Sequence, residues 1–101
     1  MEIARLQRTI DTWIQENGGY WDEMSLLARL TEEVGELARE YNHRFGAKKK
    51  KGSEAPAALE EELADVLWIV LCMANQQGID LEAAFARTME KLKIRDAGRF
   101  S

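Results

Sequence analysis

The sequence has one cysteine, one proline and, in its first thirty residues, no long apolar run. Cys72 alone makes neither an intramolecular disulfide nor a zinc site with several thiolates, and its apolar neighbours indicate a buried side chain in a reducing compartment. Arg5, Asp11 and Glu16 are among the charged residues that interrupt any early segment resembling a signal peptide or a membrane span. We therefore expect a cytoplasmic protein without a membrane partner.

Positive charge is also scarce, since 14 Lys and Arg face 18 Asp and Glu, for a formal net charge of −4. Such a surface does not attract polyanions, so we expect no nucleic-acid polymer as a partner, whereas a small anion that carries a metal ion remains open. The 101 residues suffice for a single domain, residues 1–101. A domain of this size buries only about two-thirds of its unfolded surface, so a partner subunit would help it.

Apolar residues recur at helical spacing in four segments, and no segment alternates with the period of a β-strand. Cap and stop residues bound each segment. In chain order, the predicted helices run from Ile3 to a stop at Asn17–Gly19, from Ser25 as N-cap to about Gly46, from about Ala57 after Pro56 to Gln76, and from Asp80 as N-cap to about Arg95. The pattern predicts an all-α fold, a four-helix bundle or a close relative of one.

The second half of the third predicted helix, residues 66–74, is apolar on all sides. A helix on the surface of a monomer keeps one polar face. The segment is therefore either the central helix of a monomer or a helix with a second face buried against another subunit. Because a bundle of this size encloses little, a homodimer or a larger helical assembly is favoured.

Two pairs of acidic residues occupy equivalent positions on the second and third predicted helices. Glu33 and Glu36 are three residues apart, as are Glu62 and Asp65, so each pair shares one helix face. An isolated pair of this kind is usually a solvated surface with basic partners. Here apolar residues continue the same flank after Asp65, so we expect this carboxylate to be partly buried.

Several buried anions are costly to hold together unless a cation joins them, and neither His nor Lys occurs at a matching position within these two helix segments. The missing charge is therefore predicted to be a metal ion. Oxygen ligands suit a hard cation, Mg²⁺ first and Mn²⁺ second, since zinc sites normally include His or Cys. The predicted ligands are Glu33, Glu36, Glu62 and Asp65.

The acidic motifs resemble those of the MazG-like nucleotide pyrophosphohydrolases, which belong to the all-α nucleoside triphosphate pyrophosphatase superfamily. The resemblance is carried by Glu32–Leu37 and Glu61–Leu67, with 25 residues between Glu36 and Glu62, and along nearly the whole chain it is closest to the short YpjD-like branch. It implies a four-helix-bundle-like fold that dimerisation completes, as a dimer or a dimer of dimers.

The same resemblance implies a magnesium-dependent enzyme that converts a nucleoside or deoxynucleoside triphosphate to the monophosphate and pyrophosphate. The implied role is control of the nucleotide pool or clearance of damaged nucleotides. It also implies that Glu33, Glu36, Glu62 and Asp65 are the metal ligands and that Glu32 is a nearby acid. A base must take a proton from the attacking water, and Glu36 or Glu32 is the candidate, because spacing alone does not separate a base from a ligand.

Candidate substrate-binding residues are found outside the acidic motifs. Lys91 and Arg95 are four apart on the last predicted helix and are suited to one phosphate tail, although a C-terminal turn favoured by the helix dipole looks the same. The lysine run 48–51 is either a lid over the phosphates or a solvated loop. Trp13 and His43 are candidates for contact with the base. Other available aromatic or amide groups are Tyr20, Trp21 and Asn75.

Two alternatives to this function stay open. Phosphoribosyl-ATP pyrophosphohydrolase has a related helical dimer and related acidic motifs, so the substrate could instead be a histidine-pathway intermediate. A non-catalytic helical dimer, in contrast, would bind a metal or a basic partner without releasing phosphate.

Overall fold

The fold consists of four α-helices in a computed structural model that describes residues 2–46 and 56–95. They are α1 (Ile3–Glu16), α2 (Glu23–Phe45), α3 (Pro56–Gln76) and α4 (Leu81–Arg95). Neither described range contains a strand, and the predicted all-α class is confirmed. The lysine run 48–51 and the tail after Arg95 lie outside the described residues.

The turns between the helices use the residues that the sequence indicated. Gly18 and Gly19 follow α1 with φ of 107° and 86°, in the left-handed region that glycine adopts without strain. Gly78 follows α3 with φ of 68°. Asp80 then caps α4, as predicted, because its Oδ1 accepts the backbone N–H of Ala83 at 3.2 Å.

The prediction that Ser25 is the N-cap of α2 was wrong, because α2 begins earlier and Asp22 caps it. Oδ1 of Asp22 accepts the backbone N–H of Ser25 at 2.9 Å, and Oδ2 accepts the Ser25 hydroxyl at 2.9 Å. These two hydrogen bonds lower the pKa of Asp22. The carboxylate therefore stays charged at the positive end of the helix dipole, and Ser25 supports the cap from the first turn.

The core lies where α1, α2 and α3 meet, since α2 packs along α3 and α1 packs against α3 and, more briefly, α4. Each of the three helices contributes buried apolar side chains: Ile10, Leu26, Leu71 and Cys72. Cys72 is 2% exposed, and burial raises the pKa of its thiol. The predicted burial of this cysteine is confirmed.

A buried glutamine ties α1 to the junction between α3 and α4. Nε2 of Gln7 donates to Asn75 Oδ1 at 3.0 Å and to the Ile79 carbonyl at 2.8 Å, while its Oε1 accepts the Leu81 N–H at 3.0 Å. In return, Asn75 Nδ2 donates to the Gln7 carbonyl at 2.9 Å. The network pairs polar groups that are otherwise costly to bury, so Asn75 stabilises the fold.

Apolar side chains also remain at the surface of the single chain. On α3, Leu63 and Leu67 are 47% and 51% exposed, although Leu71 and Cys72 of the same helix are buried. On α2, exposed apolar residues recur every seven positions at Leu27, Val34 and Tyr41. These α2 and α3 stripes have no covering element among the described residues. None of the described helices is long and apolar enough to cross a membrane.

Candidate metal centre

Three acidic side chains from α2 and α3 lie together. One carboxylate oxygen from each of Glu33, Glu62 and Asp65 lies within 4.8 Å of the other two. The three-residue spacing places Glu62 and Asp65 on one flank of α3, and the packing of α2 along α3 brings Glu33 to that flank. We call these three residues the acidic cluster.

Glu36, the fourth predicted ligand, lies at the edge of the acidic cluster. Its side chain is exposed and is not within the group of three oxygens. Burial is the main cause of the raised pKa of Glu33 and of Glu62, and the charge of Glu36 raises the pKa of both further. Glu36 is therefore close enough to both residues to interact with them electrostatically.

The acidic cluster contains buried oxygen atoms that lack a partner. Glu33 is only 2% exposed, and the Oε2 atoms of Glu33 and Glu62 accept no hydrogen bond from the described residues. A buried acceptor without a donor costs free energy, and a carboxylate in that position favours its neutral form. A hard divalent cation would satisfy both oxygens. The donor set, which consists of carboxylates alone, fits Mg²⁺ or Mn²⁺.

Arg29 is a residue of the site that the sequence interpretation missed. Its Nη2 lies 2.8 Å from Glu33 Oε1, and its Nη1 lies 3.6 Å from Glu32 Oε2. This guanidinium opposes the rise in the pKa of Glu33 that burial causes. The signal in the sequence is the four-residue spacing from Arg29 to Glu33, which places the two side chains on one helix face.

Asp65 is exposed, and the prediction that it is partly buried was wrong. The prediction relied on Ile69 and Cys72, which follow on the same flank and are indeed 5% and 2% exposed. Those two residues lie deeper along α3, where α3 packs against the core. Asp65 instead lines a cavity, and no described helix covers it there.

This cavity has a volume of about 400 Å³ and lies directly beside the acidic cluster. Glu33 and Asp65 form its acidic side, and aromatic residues form much of the remainder. Trp13 and Trp68 meet edge to face, with ring centroids 5.8 Å apart and ring planes at 75°. Both rings are partly exposed, at 54% and 37%. A wall of this kind beside carboxylates suits a ligand that has a flat ring and a charged chain.

Tyr20 and Trp21 also line the cavity, from the loop that joins α1 to α2. The Tyr20 hydroxyl donates to Asp11 Oδ1 at 2.6 Å. Burial, and then this hydrogen bond, raises the pKa of Tyr20 to about 12. The hydroxyl therefore stays protonated at neutral pH and fixes the loop, and it is not a proton acceptor for chemistry in the cavity.

Only one of the predicted substrate-binding residues lines the cavity. Trp13 lines the cavity, whereas His43, Lys91 and Arg95 do not. The two basic residues belong to α4, which packs against α1 and contributes no residue to the cavity lining. Glu32 is exposed on α2 beside Arg29. The roles proposed for these residues stay predictions.

Trp68 was also missed, although the sequence contains a signal for it. It follows Asp65 by three residues and therefore shares a helix face with a predicted metal ligand. Its apolar neighbours on α3 made it look like one more core residue. The structure places it on the cavity wall against Trp13 instead.

Comparison with known proteins gives consistent matches over most of the chain. The model of the MazG nucleotide pyrophosphohydrolase domain matches residues 22–100, which include the whole acidic cluster. The uncharacterised protein YpjD of Bacillus subtilis strain 168 is 46% identical over 97 residues, or 95% of this chain and 87% of YpjD.

Two solved structures share the fold. The crystal structure of YpjD from Bacillus subtilis has a TM-score of 0.82 and 46% identity, over 88% of this chain and 92% of that chain. A Bacillus-conserved MazG protein, described as a nucleotide pyrophosphohydrolase, has a TM-score of 0.78 and 42% identity, over 94% of this chain and 93% of that chain. Both likenesses therefore extend well beyond the acidic motifs.

Proposed function

The chain belongs to the MazG nucleotide pyrophosphohydrolase family and is a hydrolase that acts on nucleotides, and from that premise we propose the reaction and the cofactor. The substrate is a nucleoside or deoxynucleoside triphosphate, and the products are the monophosphate and pyrophosphate. The observation that carries this proposal is the acidic cluster, with its two unpaired buried oxygens, beside a cavity with tryptophan walls. The proposed role is control of the nucleotide pool or clearance of damaged nucleotides.

Mg²⁺ is the proposed cofactor, and Mn²⁺ is expected to replace it. Glu33, Glu62 and Asp65 would hold the ion, with Glu36 as a fourth ligand at the edge. When bound, Mg²⁺ would offset charge on the phosphate oxygens and lower the pKa of a coordinated water. The carboxylate donors and the two unpaired oxygens support this choice of metal.

The side chains of the chain itself bind the substrate and move the proton. Glu36 and Glu32 are the candidate bases, and both are exposed on α2 beside the acidic cluster, so a proton taken by either one passes readily to water. Trp13 and Trp68 would hold the base of the nucleotide on the cavity wall. His43, Lys91 and Arg95 remain proposed substrate ligands, although none of them lines the cavity of the single chain.

The proposed reaction is tested by measuring pyrophosphate and monophosphate from ribo- and deoxynucleoside triphosphates with Mg²⁺, with Mn²⁺ and with EDTA. Equal amounts of the two products, formed only with metal, would support the proposal. Phosphoribosyl-ATP belongs in the same panel, because turnover of that compound alone would identify the related histidine-pathway reaction. Metal binding without any phosphate release would indicate a binding protein instead.

Metal-free stability provides a second prediction, for Glu62→Gln. The folded pKa of Glu62 lies above its ordinary value of 4.5 because burial, and then Glu36, disfavour its charged form. The folded state therefore binds this proton more tightly than the unfolded state, so the contribution of Glu62 to stability is favourable below about pH 4.5 and is lost as the pH rises through the folded pKa.

Glu62→Gln stays neutral at every pH and escapes this loss. In EDTA at pH 7 the variant is expected to melt at a higher temperature than the wild type, with a gap that closes towards pH 4. Adding Mg²⁺ should raise the melting temperature of the wild type and have much less effect on the variant. Thermal unfolding followed by circular dichroism checks this, and a variant that is less stable throughout would contradict it.

A second copy of the chain is the proposed partner, as a dimer or a dimer of dimers. The α2 and α3 stripes support it, because a small domain gains stability by covering apolar surface. Leu67→Glu places a charge within the α3 stripe and is expected to weaken association by roughly tenfold or more. Light scattering should give a multiple of the 11.5 kDa chain mass for the wild type and a shift towards monomer for Leu67→Glu.

Arg87→Glu, at an exposed position on α4, is the matched control and should keep the wild-type mass. A wild type of 11.5 kDa at every concentration would contradict self-association. A Leu67→Glu protein that associates as strongly as the control would remove the α3 stripe from the interface.

A further inference from the structure

Arg29 is the basic residue on the cavity wall. Among the described residues that line the cavity, it is the only one with a positive charge. Its guanidinium is held on one side by the buried Glu33 and more loosely by Glu32, at 2.8 Å and 3.6 Å. The side chain is nevertheless 45% exposed, so it also faces solvent. Arg29 therefore contacts the acidic cluster and is also accessible from the cavity.

The ion pair with Arg29 compensates the charge of Glu33 when no metal is bound. Glu33 is almost fully buried, and a buried carboxylate requires a nearby cation. The single guanidinium does not pair all of the buried oxygens, because the Oε2 atoms of Glu33 and Glu62 have no hydrogen-bond partner among the described residues. A divalent ion in the acidic cluster would attract Glu33 more strongly than a single positive charge does. It would therefore weaken the ion pair between Glu33 and Arg29.

We propose that Arg29 exchanges partners: it neutralises Glu33 in the metal-free protein, and it binds the phosphate chain of the substrate when a divalent ion occupies the acidic cluster. The inference rests on the proposed function, since it concerns the same substrate. A guanidinium presents a planar fork of donors that matches phosphate oxygens. The position of Arg29 on the wall of the cavity, which Asp65, Trp13 and Trp68 also line, supplies the required access.

A purely structural Arg29 predicts a different outcome. If its role is only to orient Glu33 for the metal, its loss weakens metal binding and leaves contact with phosphate unchanged. Partner exchange predicts that loss of Arg29 strengthens metal binding, because Arg29 competes with the metal for Glu33. It also predicts that the loss weakens phosphate binding, because Arg29 then contacts the phosphate directly. The two roles are therefore separated by two binding measurements, neither of which requires turnover.

The test uses isothermal titration calorimetry on the full chain as wild type, Arg29→Gln and Arg39→Gln. Arg39 is an exposed arginine on the same helix and provides the matched control. The first titration adds Mg²⁺ to the nucleotide-free protein, and Arg29→Gln is expected to bind it about two- to fivefold more tightly, as fits the loss of a partly exposed competing ion pair. Arg39→Gln should match the wild type.

The second titration adds inorganic tripolyphosphate to protein saturated with Mg²⁺. This probe has the phosphate chain of the substrate and no base. Arg29→Gln is expected to bind it about tenfold more weakly, because a charge-assisted contact is lost. Arg29→Lys keeps the positive charge but lacks the planar guanidinium, so its affinity for tripolyphosphate should lie between those of the wild type and Arg29→Gln. This variant preserves the test if Arg29→Gln folds poorly.

Unchanged or weaker Mg²⁺ binding by Arg29→Gln overturns the proposal, and so does tripolyphosphate binding equal to that of the wild type. Failure of the magnesium-loaded wild type to bind tripolyphosphate also overturns it. Failure of the proposed reaction has a separate signature: a wild type that binds tripolyphosphate through Arg29 yet releases no pyrophosphate from any nucleotide supports the exchange while contradicting the reaction.

Discussion

Asp65→Asn is expected to reduce pyrophosphate release by on the order of 100-fold or more while leaving the fold intact. Asp65 belongs to the acidic cluster, within 4.8 Å of Glu33 and Glu62, but its side chain is exposed and contributes nothing to the core. The amide has nearly the same shape and lacks the charge that a cation requires. Its removal also lessens repulsion in the metal-free cluster, so the melting temperature in EDTA should not fall.

The measurement is the rate of pyrophosphate release as a function of Mg²⁺ concentration. The variant is expected to need more Mg²⁺ for its half-maximal rate, since one ligand has been lost. Glu60→Gln removes an exposed carboxylate from the same helix and is the matched control, with wild-type turnover expected. Wild-type activity in Asp65→Asn would exclude this residue from the site, and equal losses in both variants would point to a general effect of charge.

Gln7→Leu is expected to lower the free energy of unfolding by about 3 kcal/mol. The leucine fills a similar volume but forms none of the hydrogen bonds that Gln7 makes to Asn75, Ile79 and Leu81. These partners are left without their donor or acceptor at a junction that α1 covers. The loss therefore comes mainly from unpaired polar groups, since the packing changes little.

Urea unfolding followed by circular dichroism, at one fixed protein concentration, measures this loss. Gln15→Leu makes the same chemical change at an exposed position of α1 and should have little effect. If Gln7→Leu is as stable as Gln15→Leu, the network does not hold the junction of α3 and α4. Asn75 follows Asp65 by ten residues on α3, or roughly 15 Å along the helix, so Gln7→Leu protein that remains folded should retain its metal dependence.

The helices and the two acidic pairs could be predicted because both depend on local spacing. Apolar periodicity indicates where a helix runs, and a three-residue interval puts two carboxylates on one face regardless of the rest of the fold. Left-handed glycines and caps such as Asp80 add boundaries that are nearly independent of tertiary contacts. Even there, Asp22 and Ser25 are both good caps, and sequence preference alone did not decide between them.

Features that depend on packing between helices could not be predicted in the same way. The exposure of Asp65 is set by which helix covers its flank, and periodicity within α3 carries no information about that. Trp68 looked like a core residue for the same reason. Lys91 and Arg95 share a face of α4, but no residue of α4 lines the cavity, so their spacing did not bring them to it.

A divalent metal is proposed to bind at the acidic cluster, and anomalous diffraction from crystals grown with Mn²⁺ would locate it. We expect an anomalous peak at coordination distance from Glu33, Glu62 and Asp65, with Arg29 turned away from Glu33. A Mn²⁺-saturated crystal with no peak at these carboxylates, or with its peak elsewhere on the chain, would contradict it.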